Sequence, residues 1–74
     1  MTVYVILEQT QNVENNLLNI AFRKQKEAVD FAYDTARMWD APEIKCDYEE
    51  GLVVAYSEDG HVTRRYDVIG LECY

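Results

Sequence analysis

The side chains best able to do chemistry crowd into one short stretch, Ser57-Glu58-Asp59-Gly60-His61. It places a hydroxyl, two carboxylates and the chain's one imidazole within five positions. A serine near a histidine suggests a nucleophile with its base, and an imidazole near carboxylates suggests metal ligation. Neither pattern is complete. A nucleophile and its base must converge with an orienting group from separate supporting elements. Here Asp59-Gly60 is instead a strong hairpin signal, and serine and aspartate are favoured in turns for their local hydrogen bonds. Cys46, Cys73, His61 and the acids show no C-x-x-C, H-x-x-x-H or D-x-D-x-D-G spacing. The three glycines, 51, 60 and 70, do not form a phosphate-cradling loop ahead of a helix. No catalytic residue, metal ligand or cofactor site is expected.

The remaining chemistry is charge. Residues 27–50 hold eight of the fourteen acids, Glu27, Asp30, Asp34, Asp40, Glu43, Asp47, Glu49 and Glu50, against Arg37 and Lys45 alone, a net −6 in a chain of −7. Arg23-Lys24-Gln25-Lys26 just before it carries +3. Glu27, Asp30 and Asp34 share a helix face with Arg23, Lys26 and Arg37, so that face is mixed. Paired carboxylates such as Asp30 and Asp34 need a low-dielectric pocket to act as acid and base, and these are expected to face solvent. The unanswered negative charge runs from Asp40 through Glu43 and Asp47 to Glu49 and Glu50, flanked by Trp39 and Tyr48. Trp39, Asp40, Glu43, Asp47, Tyr48, Glu49 and Glu50 are therefore the expected partner-binding residues. Tryptophan and tyrosine suit such a role because a large apolar ring ends in a polar group.

These residues need elements to position them. Seventy-four residues make one expected domain, and the 49% hydrophobic content is globular rather than disordered. Thr2–Glu8 reads as a strand rich in Val, Tyr and Ile, and Gln9–Asn16 as a polar loop. Leu17–Phe22 reads either as a second strand or as the first turns of a helix running to Trp39, whose apolar arc would hold Leu17, Leu18, Ala21, Ala28, Val29, Ala32, Ala36 and Trp39. The segment Lys24–Trp39 is helical on both readings, and Ala41-Pro42 ends it. A start at Lys24 sets cations against the positive end of the helix dipole with no capping side chain, which favours the longer helix. Glu43–Tyr48 alternates as a strand, Glu49-Glu50-Gly51 turns, Leu52–Tyr56 is a strand, and His61–Val68 returns after the Asp-Gly turn. Ile69–Tyr74 continues that strand past a kink or bulge at Gly70. Five of the six tyrosines, Tyr4, Tyr48, Tyr56, Tyr66 and Tyr74, fall on these strands. Arg64 and Arg65 are expected to pair with acids across strands.

The run VYVILEQ, followed by NIAF and then KEAVDFA, resembles small uncharacterised bacterial and phage proteins in which two strands lead into a helix. The resemblance covers residues 3–32. It implies that Leu17–Phe22 is a strand, the reading taken here, and it implies no function. The expected fold is α+β: a four- to five-stranded, largely antiparallel sheet with one amphipathic helix on one face.

A charge of −7 disfavours nucleic acid and anionic membranes, which are held through Lys and Arg. There is no apolar run long enough to span a bilayer, and the N-terminus lacks the pattern of a signal peptide. The expectation is a cytoplasmic protein with free thiols. It is expected to be a non-catalytic binding or regulatory protein whose partner carries a basic surface. In its most specific form it is a phage-type inhibitor covering a basic, nucleic-acid-binding site on a host protein. The alternative is a small module that self-associates, as a homodimer, without charge steering.

Overall fold

In the computed structural model, residues 1–10 and 15–73 are described. The elements run β1 (Thr2–Thr10), β2 (Asn15–Phe22), α1 (Gln25–Arg37), β3 (Glu43–Asp47), β4 (Leu52–Tyr56) and β5 (Val62–Glu72). The five strands form one sheet in the order β2-β1-β5-β4-β3, with every neighbouring pair antiparallel. The fold is α+β, with α1 packed on one sheet face.

Because side chains alternate along a strand, the register decides which residues meet α1. Ile6 lies opposite Val68, and Val53 lies opposite Tyr66 and Cys46. This set faces α1. Ile6, Val53, Ala55 and Tyr66 are fully buried there against Ala28, Val29, Ala32 and Ala36. Three of those four helical residues are alanines, so α1 sits close to the sheet and buries little side-chain volume of its own. Tyr4, Leu18, Phe22, Ile44 and Val68 close the margins of this core. The odd-numbered residues of β1, with Ile69 and Leu71 of β5, point to the other side of the sheet.

Leu17–Phe22 is a strand rather than the start of a helix. Paired with β1, its backbone groups enter a ladder, and Leu18 and Phe22 reach the core. That outweighs the start of α1, where Lys24 is an N-cap without a side-chain hydrogen bond. Arg23, Lys24 and Lys26 oppose the helix dipole there, each at a cost of about 0.3–1 kcal/mol when exposed. Glu27 in the first turn and Arg37 in the last run with the dipole and offset part of that cost.

Several boundaries move. The α-helix ends at Arg37, not Trp39. The chain then tightens, with the amides of Met38, Trp39 and Asp40 each donating to the carbonyl three residues earlier at 3.2 Å. Asp40 closes this turn at φ 52, a left-handed conformation that aspartate tolerates better than most residues. β1 runs to Thr10 and β2 begins at Asn15, so the expected loop Gln9–Asn16 shrinks at both ends; residues 11–14 lie outside those described. β5 passes through Gly70 without a break, pairing with β1 from Thr10↔Arg64 to Thr2↔Glu72. Gly70 marks no kink. A Cβ there would come within 3.3 Å of the Tyr4 ring, which lies across the strand from it. The irregularities fall elsewhere, between Val5 and Leu7 in the β1–β2 pairing and between Ala55 and Tyr56 in the β4–β5 pairing. Tyr74 lies outside the described residues.

Two turn glycines differ in what surrounds them. Gly51 has φ 68, and a Cβ there would lie 2.7 Å from the Gln25 side chain and 3.2 Å from Val68 Cβ. Gly60 has φ 85 with open space around it. Gly60→Ala should therefore cost only the left-handed strain, about 1 kcal/mol. Gly51→Ala should cost roughly 2 kcal/mol or more, because strain and crowding add. Urea unfolding of the two variants checks this order.

Candidate functional site

The seven expected partner-binding residues lie along and beyond the two ends of β3, an edge strand. Trp39, Asp40 and Glu43 are at one end; Asp47, Tyr48, Glu49 and Glu50 are at the other. Five strand residues separate the groups by about 13 Å along the strand. Within β3, Ile44 and Cys46 turn inward while Glu43, Lys45 and Asp47 are exposed on the face opposite α1. The acids therefore form a ridge along an edge rather than one patch.

Their roles divide. Asp47 Oδ1 accepts the amides of Glu49 and Glu50 at 3.0 and 3.1 Å, closing the turn into β4. That local bond ends β3 at Asp47, so Tyr48 belongs to the turn and not to the strand where sequence reading placed it. The Tyr48 hydroxyl donates to Asp30 Oδ1 on α1. The Lys26 ammonium donates to the other oxygen of Asp30 at 2.9 Å and lies 5.8 Å from the Tyr48 ring centre. Two supposedly solvated acids thus have structural duties, Asp47 in the turn and Asp30 in tying the turn to the helix. Asp40, Glu43, Glu49 and Glu50 make no ion pair or side-chain hydrogen bond to a described residue. Of the expected partner-binding acids these four carry the free charge; Glu27 and Asp34 on α1 and Glu58 in the hairpin turn likewise pair with no described residue.

Trp39 is held at the opposite end. The Arg64 guanidinium stacks 3.8 Å from its ring centre and reaches Glu8 at 3.6 Å. This pair is half-hidden, the Glu8 side chain being 13% exposed and that of Arg64 21%. Tyr66 lies beneath with a buried hydroxyl that makes no hydrogen bond to a described residue. Burial first, and the Glu8 carboxylate second, push its phenol well above the ordinary range. Arg64 thus pairs across strands as expected, whereas Arg65 pairs with Asp67 on its own strand at 3.1 Å.

Between the two ends runs a shallow groove of about 580 Å³ beside β3 and β4. Its floor includes Leu52, Val54 and Tyr56, and Asp47 and Glu49 line it as well. Lys45 reaches to 5.4 Å from the Tyr56 ring centre. Sequence reading missed this groove because it depends on register: Glu43↔Tyr56, Lys45↔Val54 and Asp47↔Leu52 place polar edge residues beside an apolar floor. The alternation in EIKCD and LVVAY was visible, but their relative alignment was not.

The Ser57–His61 stretch is a hairpin turn. Ser57 Oγ donates to Asp59 and accepts the His61 amide at 3.2 Å, while His61 Nε2 lies 3.6 Å from Asp59. The serine contacts the acid rather than the imidazole, and the bonds hold the turn. Among the described residues no three or more His, Cys, Asp or Glu side chains cluster to hold a metal ion. Cys46 and Cys73 are both free thiols, and burial raises the Cys46 pKa. No helix of the described chain is long and apolar enough to cross a membrane.

Donating to Asp30 raises the Tyr48 pKa to about 12, and the same hydroxyl first, then Lys26, holds Asp30 below the usual carboxylate range. A phenol raised in the folded state stabilises fully below its unfolded pKa of about 10 and ceases to do so as pH rises through the folded value. A carboxylate lowered in the folded state contributes above its unfolded pKa of about 4 and is lost as pH falls through the folded value. Asp30→Asn should bring the Tyr48 titration, followed by NMR of its ring carbons, back toward 10. Arg64→Met keeps the apolar stem but leaves the largely hidden Glu8 carboxylate without its cation. It should cost about 1–3 kcal/mol, part of which Glu8→Gln restores in the double variant.

Comparison of the chain with protein-family models, curated proteins and solved structures gives no match.

Proposed function

We propose that this chain is a non-catalytic binding protein that presents its β3 edge to a protein with a basic surface. The observation that carries this reading is the set of four acids that pair with no described residue, Asp40, Glu43, Glu49 and Glu50, on an edge strand and the turns flanking it, with an apolar groove alongside. An edge strand leaves backbone donors and acceptors unpaired, and a partner's extended segment can add to them. The acids on β3 and its turns then select for lysine and arginine. Leu52, Val54 and Tyr56 offer apolar surface to the aliphatic stems of those residues. The same charges discourage indiscriminate pairing at the edge, so selectivity and solubility come from one feature.

The specific form of the proposal is a phage-type inhibitor that covers a basic, nucleic-acid-binding site on a host protein in the cytoplasm. The chain's −7 charge supports it, since an acidic surface can occupy a groove built for phosphates. The two free thiols support a reducing compartment.

The test neutralises the free acids and spares the structural ones. Asp40→Asn, Glu43→Gln, Glu49→Gln and Glu50→Gln are combined, leaving Asp30 and Asp47 intact. A lysine- and arginine-rich peptide containing leucine is titrated by calorimetry, and proteins co-purified from the native host are compared. Exposed pairs contribute about 0.2–1 kcal/mol each, so the fourfold variant should bind the peptide about tenfold or more weakly. Binding by the original chain should weaken as salt rises. A variant that retains the peptide affinity and every host partner overturns the proposal.

A further inference from the structure

We propose that the sheet face opposite α1 is a self-association surface, on which β2, β1 and β5 of one copy pack against the same three strands of a second. α1 covers one side of the sheet, and no described element covers the other. Strand alternation and register bring Val3, Val5, Leu7, Leu17, Ile69 and Leu71 onto that uncovered side. Leu17 is 57% exposed, Leu71 46% and Ile69 38%. A single exposed leucine needs no explanation, but a contiguous apolar face does.

Charge selects the occupant. In a chain of −7, these six positions and their neighbours Gln9 and Ala21 carry no charge. The nearest charged residues on the same face, Arg65 and Asp67, neutralise one another at 3.1 Å. A basic partner finds no counter-charge there, and an acidic one finds none either. A second copy meets a surface of the same shape and polarity with no facing like charges, as a two-fold interface requires. A two-fold axis through β1 lays β2, β1 and β5 over β5, β1 and β2 of the other copy. It leaves β4, β3 and their groove, which share this side of the sheet, outside the contact.

Area sets the strength. Three strands about 4.8 Å apart and about 27 Å long present a projected face of roughly 400 Å² on each copy. That is about half of the roughly 800 Å² per partner of a standard specific interface, the size of a weak, transient contact. The dimer should therefore be weak and concentration-dependent. It would turn a two-layer fold into four layers, helix, sheet, sheet, helix, with sheets about 10 Å apart. The core under α1 consists largely of alanines and valines, so a second apolar layer adds burial that a small chain otherwise lacks.

Salt separates this association from binding at β3. Two chains of −7 repel at long range, and screening relieves that repulsion. Self-association should strengthen as salt rises, whereas binding of a basic peptide at β3 should weaken.

The test is sedimentation equilibrium of the full chain from about 10 µM to about 1 mM, at about 0.05 M and about 0.5 M salt. The expected result is a shift from 8.7 kDa toward twice that mass, tighter at high salt. Ile69→Thr combined with Leu71→Thr keeps β-propensity and removes apolar surface; it should weaken the dimer about tenfold or more. Isotope-filtered NOE spectra of the unaltered protein decide independently of any variant's folding. Intermolecular contacts should join the methyl groups of Val3, Leu7, Leu17 and Leu71. A chain that stays monomeric, a dimer whose contacts come from β3 or α1, or one that the double substitution leaves equally tight overturns the proposal.

Discussion

The pairing of β1 with β5 is the constraint on which the rest of the structure depends. It runs unbroken from Thr2↔Glu72 to Thr10↔Arg64 and joins segments about sixty residues apart in sequence. It holds two hairpins together, β1 with β2 on one side and β4 with β3 beyond β5 on the other. It also fixes which side of the sheet each residue takes. Ile6, Val68 and Tyr66 meet α1, while Val5, Leu7, Ile69 and Leu71 do not. A slip of one residue in β1 would exchange these sets and leave α1 against the wrong surface. At the far end of the ladder the Cys73 amide donates to the Met1 carbonyl at 2.6 Å, and the N-terminal ammonium reaches Glu72 at 3.2 Å. At the near end the diagonal pair Glu8–Arg64 ties the ladder to Trp39.

With the register set, the acids separate by what their neighbours need. Asp30 and Asp47 satisfy donors, one a phenol and an ammonium, the other two amides. An acid with such partners is worth more to the fold than to a passing cation. Asp40, Glu43, Glu49 and Glu50 sit where the backbone is an edge or a turn and pair with no described residue. The proposed electrostatic selectivity therefore falls to acids on which the fold makes little demand. A similar division applies to the aromatics. Tyr66 completes the core, Tyr48 clasps α1, Tyr56 lines the groove and Trp39 stacks on Arg64. Sequence reading saw a set of interface-like rings, but their roles come from what each one touches.

Much of the architecture was legible. The Asp-Gly turn, the alternation in EIKCD and LVVAY, and the apolar arc of Ala28, Val29, Ala32 and Ala36 are local signals, each resolved within a few residues. The segment Leu17–Phe22 was not decided locally. Its helical periodicity and the poorly capped, cation-rich start at Lys24 both pointed toward a longer helix, while pairing with β1 made it a strand. Nor could local pattern locate the end of β3. The Asp47 side chain captures two amides beyond it and draws Tyr48 out of the strand. Gly70 looked like a kink because glycine weakens strands, yet the Tyr4 ring across from it fills the space that a side chain would have taken.

The sequence by itself determined the fold class, the identity of the helical face and the segment in which charge is unbalanced, because each depends on spacing along the chain. Only the tertiary structure decided which acids lack a described partner, where the groove lies and which strands carry apolar side chains on the side away from α1. Those properties depend on register between strands and on what lies across a sheet or helix, and residues far apart in sequence establish them together.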